Sequence, residues 1–220
     1  YPMYATNRRA ERREDLIYDL ELRGFDVDEV VDFTEFEEHD KFLEGTGSMV
    51  LDRVHKRAYA ALSERTELEA LKAFCEAFDF EGIPFTANQD GPHGRHPIYH
   101  TNVMMSIGTR FAAGCWESID DEEERAMVKE TLAADGKVLV DLSEDQINHF
   151  AGNMLEVQSA SGDPVIAMST QAFEALSATQ IDALSSFGEI VHAPLNTIEA
   201  CGGGSARCML AENFLPTSNQ

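Results

Sequence analysis

Basic residues are scarce in this chain. Its 220 residues include 17 lysines and arginines against 40 aspartates and glutamates, for a formal net charge of −23. Nucleic acid and anionic membrane both need a basic surface, so the shortage argues against either as a partner. The acids are spread over several segments, as in residues 35–40 and 120–124, and such runs read as solvated helix faces or loops. Paired cysteines are missing as well. Cys75, Cys115, Cys201 and Cys208 show no C-x-x-C spacing, which argues against zinc and for free thiols in a reducing cytoplasm. No apolar run reaches the length of a membrane helix. What is present is a hydrophobic fraction of 43%, enough for a core in one large domain or two small ones.

The chain repeats a pattern rather than an identity. Helical spacing with a glycine or acidic boundary is expected over residues 10–22, 66–78, 120–134 and 170–187. A strand is expected after each, over 25–33, 83–87, 137–142 and 189–192. Each strand is followed by a loop and a second apolar stretch, at 44–51, 99–105, 151–157 and 207–211. A third strand is expected in the first three units, over 58–62, 110–116 and 165–168. One marker from each second stretch, Glu44, His100, Asn153 and Cys208, gives separations of 56, 53 and 55 (100 − 44, 153 − 100, 208 − 153). A unit near that length implies radial or stacked repetition, in which equivalent positions face one axis. That would gather Glu44, His100 and Cys208.

The run Gly202-Gly203-Gly204-Ser205-Ala206-Arg207-Cys208-Met209 is open to two readings. Glycines let backbone approach a ligand, and a cysteine delivered by such a turn is placed as a nucleophile. The same run also fits a tight turn before a strand with a buried cysteine. The competing readings are His100 as a core histidine, Glu44 as a turn residue and Arg65 as a helix-terminal ion pair. Asn153 reads as a structural turn residue, Arg207 as a neighbour on the opposite face of a strand, and Cys75 and Cys115 as core. His93 and His96 fall in a polar loop over 90–97 and read as solvated.

Five motifs then point one way: Phe42-Leu43-Glu44-Gly45-Thr46-Gly47-Ser48, Leu62-Ser63-Glu64-Arg65-Thr66, Tyr99-His100-Thr101-Asn102, Phe150-Ala151-Gly152-Asn153, and Gly202 to Met209. Together they resemble the guanidino-group modifying enzymes of the amidinotransferase superfamily, and most of all the citrulline-utilisation or arginine-deiminase-related branch. The resemblance implies an α/β propeller (pentein) of ββαβ-type units, with about four of five blades present. It implies a single catalytic domain over 1–220, incomplete at its N-terminus, where the family carries a substrate-binding aspartate.

It also implies roles. Cys208 matches the nucleophile, His100 the general acid/base and Glu44 the carboxylate that supports the histidine. Arg65 matches an arginine that holds a substrate α-carboxylate. Asn102 stands where deiminases carry an aspartate, and Gly203 and Gly204 would admit a flat head group. Ser48 departs from the aspartate that closes the family's Glu-Gly-Gly-Asp motif. A neutral amide at 102 suits a neutral ureido group, since it can donate as well as accept. The implied function is therefore cysteine-dependent hydrolysis of citrulline to ornithine, ammonia and carbon dioxide. The partner would be a small-molecule substrate, no metal or organic cofactor is called for, and a homo-oligomer is compatible. The alternatives are an arginine deiminase or dimethylarginine hydrolase, an amidinotransferase, and a non-catalytic ribosome-binding factor of the same architecture.

Overall fold

A computed structural model of the chain describes residues 1–91 and 94–217. His93 lies outside the described residues, and His96 is exposed. In chain order the main elements begin with helix α1 (Asp15–Leu22), strands β1 (Val50–Asp52) and β2 (Arg57–Ala61), helix α2 (Leu68–Phe78) and strand β3 (Glu81–Phe85). A hairpin of β4 (Asn88–Gly91) and β5 (Gly94–Pro97) follows. Next come α3 (Thr101–Met104), β6 (Met105–Ile107), β7 (Phe111–Gly114), α4 (Glu122–Ala134) and β8 (Val138–Asp141). The chain continues through α5 (Glu144–Asn148), β9 (Leu155–Gln158), β10 (Pro164–Ser169), α6 (Thr170–Ala175), α7 (Ala178–Ser185), β11 (Glu189–Ala193) and α8 (Asn196–Gly202).

Three of these sheets are built alike. In each, a first strand pairs antiparallel with a second, a helical segment crosses over, and a third strand pairs parallel with the second: β1-β2-β3, β6-β7-β8 and β9-β10-β11. The middle strands start at residues 57, 111 and 164, spacings of 54 and 53. First strands adjoin one another, β1 with β6 and β6 with β9, so the three ββαβ units stand around a shared line. The described residues hold three complete units where four were expected. The remaining one is represented by α1 and by a single bridge that pairs Phe25 with Thr217.

Side-chain alternation in β2 shows how the units pack. Tyr59 and Ala61 enter the main core with Phe85, Phe111 and Ile166. Ala58 and Ala60 point to the other face and meet Leu43, Leu71 and Phe74 under α2. Helix α4 starts where Asp121 accepts the Glu123 and Glu124 N–H groups, both at 2.9 Å.

Three expectations need correction. Residues 25–33 form no strand beyond the Phe25 bridge: Asp26, Asp28, Glu29 and Asp32 keep the segment in solvent, and it ends with Phe33 buried against Phe74 and Tyr1. The single helix expected over 170–187 is two, because Ser177 and Gln180 form a capping box that starts a new helix. The strand expected at 207–211 is a 3-10 turn over Arg207–Met209. No described helix is long and apolar enough to cross a membrane.

Candidate active site

Glu44, His100 and Cys208 come from three separate segments of the chain, before β1, at the start of α3 and after α8. Glu44 sits in a turn just before β1. The turn is closed by Ser48, whose Oγ accepts the Glu44 N–H at 2.8 Å and donates to the Arg65 carbonyl at 2.7 Å. Ser48, where the family pattern has an aspartate, thus ties the Glu44 turn to the Arg65 segment. His100 is the last extended residue before α3, and the Asn102 N–H reaches the Gly47 carbonyl at 3.2 Å. Gly47 is held to hydrogen by the histidine: a Cβ there would lie 2.9 Å from His100 Nδ1.

Glu44 Oε2 and His100 Nε2 are 2.7 Å apart, with side-chain exposures of 2% and 12%. The other carboxylate oxygen accepts the Tyr4 N–H at 3.0 Å, and Arg65 Nη1 stands 3.7 Å from Oε2. Burial opposes ionisation of Glu44. The His100 bond, the Tyr4 N–H and the Arg65 charge outweigh it and hold this carboxyl below its ordinary value. Arg65 lies between the rings of Tyr4 and Tyr99, at 5.7 and 5.3 Å from their centroids.

Cys208 lines the same cleft as Glu44 and His100. Helix α8 ends at Gly203 in the left-handed conformation, φ 68°, which reverses the chain into the turn. Ser205 donates to the buried Glu199 at 2.7 Å and anchors the turn from beneath. Gly204 lies close enough that a Cβ would come within 3.2 Å of Cys208 Sγ. Because this is a turn and not a strand, Arg207 does not simply face away. Its guanidinium is buried beside the cysteine, its charge disfavoured by that burial, and it reaches Glu212 at 3.8 Å.

Glu44, Arg65, His100, Asn102, Gly203, Gly204 and Cys208, the seven residues singled out from the sequence, all line one cleft of about 580 Å³. The acidity of the chain is inverted there: Arg8, Arg65 and Arg207 line the cleft, and Glu44 is its one carboxylate among the described residues. Asn102 Oδ1 is buried without a hydrogen-bond partner among the described residues, an acceptor open to a ligand N–H.

Asn153 was read as a turn residue, yet its amide lies against the cysteine: Nδ2 is 3.3 Å from Cys208 Sγ, and Oδ1 accepts the Arg207 N–H at 3.1 Å. The signal was its place in the repeat, 55 residues before Cys208. Burial raises the thiols of Cys75 and Cys115, the latter to about 11, and neither lines the cleft. Asp52, His55 and Asp135 have ligand atoms within 4.8 Å of one another. Their carboxylates are already paired with Lys137 at 2.8 Å and Arg57 at 3.0 Å, and none lines the cleft.

Three ββαβ units around a shared line, with a cysteine and a carboxylate-held histidine lining one cleft, define the pentein class, the amidinotransferase superfamily of guanidino-modifying enzymes. Within it, residues 1–215 match the family model of eukaryotic N,N-dimethylarginine dimethylhydrolase, and the chain belongs to that family.

Among solved structures it is similar to ArgZ, an arginine dihydrolase from the ornithine–ammonia cycle in cyanobacteria. Identity is 20% over 98% of this chain and 31% of that one, with a TM-score of 0.67. It is similar also to the substrate-bound N-terminal domain of ArgZ carrying a cysteine-to-serine change, at 18% identity over 98% of this chain and 68% of that one, TM-score 0.66. SxtG, an amidinotransferase from Microseira wollei in the saxitoxin biosynthetic pathway, aligns at 12% identity over 99% and 65%, TM-score 0.59. The chain spans about a third of the length of ArgZ, and at these identities the likeness is one of fold. No curated protein matches the chain in sequence.

Proposed function

We propose that the cleft is the active site of a cysteine-dependent hydrolase of a guanidino or ureido C–N bond, with citrulline as the substrate. The observation that carries this reading is the lining of one cleft by Cys208, His100 and Glu44, with the histidine held by the carboxylate at 2.7 Å. In this reaction Cys208 Sγ attacks the ureido carbon and a C–S bond forms. His100, protonated, gives its proton to the departing nitrogen, the C–N bond breaks and ammonia leaves. The neutral imidazole then takes a proton from water, whose oxygen attacks the same carbon. The C–S bond breaks, the sulfur recovers its electron pair, and the carbamate loses carbon dioxide to leave ornithine. Proton transfer by a placed histidine contributes on the order of 10² to 10⁴ in rate. Glu44 fixes the ring and stabilises its charged form.

Charge in the cleft favours a neutral head group. Its one carboxylate is already engaged by His100 and Arg65, leaving little to pair with a guanidinium, whereas Asn102 offers an acceptor and an N–H. The arginines suit the α-carboxylate of an amino acid. A second reading has its own support. The family match favours N,N-dimethylarginine, which the same steps would convert to citrulline and dimethylamine.

The test is turnover of citrulline, arginine and N,N-dimethylarginine by the purified chain, with ornithine, citrulline, ammonia and dimethylamine measured. Ornithine and ammonia from citrulline are expected, with no product from Cys208→Ala. Arginine consumed much faster than citrulline sinks the citrulline assignment. Full activity in Cys208→Ala sinks the nucleophile.

A further inference from the structure

We infer that Asn153 is a positioning residue for Cys208: its side-chain amide grips the sulfur and the backbone of the turn that carries it, and so keeps the thiolate in place to attack. The inference rests on the reading of Cys208 as the nucleophile. Asn153 is 3% exposed, and its carboxamide is fully engaged. Nδ2 donates to the Asn102 carbonyl at 3.1 Å and faces Cys208 Sγ at 3.3 Å. Oδ1 accepts the Arg207 N–H at 3.1 Å and, at 3.6 Å, the thiol S–H of Cys208. One group thus links the turn before β9, helix α3 and the cysteine turn.

The local backbone is built to hold it there. Phe150 adopts φ 64°, unusual for a phenylalanine, and its carbonyl accepts the Asn153 N–H at 2.9 Å. Gly152 lies against α3, where a Cβ would come 2.3 Å from the Val103 carbonyl oxygen. Only glycine permits that approach, and it presses the following asparagine onto Asn102. Residue type matters as much as place. A carboxylate could accept the Arg207 N–H but could not donate to sulfur, while an amide does both. The thiol S–H bonds Oδ1 at 3.6 Å, but Nδ2 is the nearer contact at 3.3 Å, and an N–H aimed at sulfur favours the thiolate, which is an acceptor. Asn102 Nδ2 also stands 3.8 Å from the sulfur, and Arg8, Tyr99, His100, Glu44 and Arg207 line the same cleft.

The measurement is the ultraviolet thiolate absorbance of Cys208 at neutral pH, taken as the difference from Cys208→Ser so that the other three thiols cancel, with circular dichroism to verify folding. In Asn153→Ala the Cys208 thiolate fraction should fall about tenfold, the effect of one hydrogen bond to a charged acceptor. Asn153→Asp keeps the acceptor for Arg207 but replaces the donor with a negative charge, and should fall at least as far. On a substrate that is turned over, kcat should drop with KM unchanged. A wild-type thiolate fraction in Asn153→Asp would show that only the Arg207 bond matters and would overturn the inference. The same result in a folded Asn153→Ala would do so too, and if that variant fails to fold, Asn153→Asp decides. The spectrum needs no substrate, so an inactive wild-type chain defeats the proposed function without touching this outcome.

Discussion

The two walls of the cleft are held by different means. On the His100 wall, a buried carboxylate collects an imidazole, a backbone N–H and a guanidinium, and a serine closes the turn beneath it. On the Cys208 wall, an exposed sulfur rides on a short turn after three glycines, touched by the amide of Asn153 and anchored below by Ser205. The wall that must manage charge is rigid, because a buried ion pair is tolerable only when every partner is fixed. The wall that forms and breaks a bond to carbon in the proposed reaction has fewer constraints, and a Cβ at Gly202 or Gly203 would meet nothing within 4 Å.

A matched pair of substitutions can break this comparison, since one glycine presses on His100 and another on Cys208. In Gly47→Ala the new methyl would sit 2.9 Å from His100 Nδ1 and 3.0 Å from Cε1, with the Glu44 carbonyl behind it at 3.2 Å. The ring has to swing, and the 2.7 Å bond to Glu44 has to stretch or break. A misplacement near an ångström costs about a hundredfold in rate, and kcat for this variant should fall by that order. In Gly204→Ala the methyl would meet Cys208 Cβ at 3.0 Å and Sγ at 3.2 Å. Here the exposed turn can give by a few tenths of an ångström, so the loss should be smaller, about tenfold or less on the same scale. Equal losses in the two variants, or the larger one at Gly204, would show that the walls do not differ in stiffness.

Much of this cleft is legible in the sequence, and the reason is periodicity. Glu44, His100 and Cys208 have no local signature strong enough to stand alone, but equivalent positions in a radial repeat must converge. Helices α2 and α4 were readable from apolar spacing and terminal residues. What escaped detection depended on partners distant in the chain. Residues 25–33 look like a strand, yet their acids have no buried face to oppose, and one bridge is all that forms. Arg207 and Cys208 were expected to alternate as on a strand, but the chain coils there, with Met209 N–H on the Ala206 carbonyl at 3.2 Å and Leu210 N–H on the Arg207 carbonyl at 3.1 Å. Asn153 was undervalued because a turn asparagine and a clamp on sulfur look the same in sequence. Only the approach of Gly152 to Val103 separates them.

The stiffness of the Glu44 wall should also show as a pH signature, the smallest effect of the three. Glu44 is held below its ordinary value against the pull of burial, because His100, the Tyr4 N–H and Arg65 favour its charged form. A carboxyl with a depressed folded value adds stability above the unfolded carboxylate range, about 4.3, and loses that contribution as pH falls through the folded value. Forty acids titrate in the same region, so the informative quantity is the difference between the wild type and Glu44→Gln. Near neutral pH the wild type should melt higher by about 2–4 °C. The two melting curves should converge as the solution is acidified below the carboxylate range. Curves that stay parallel to the acid end would mean that ionisation of Glu44 contributes nothing to folding, and that the rigidity of this wall comes from packing alone.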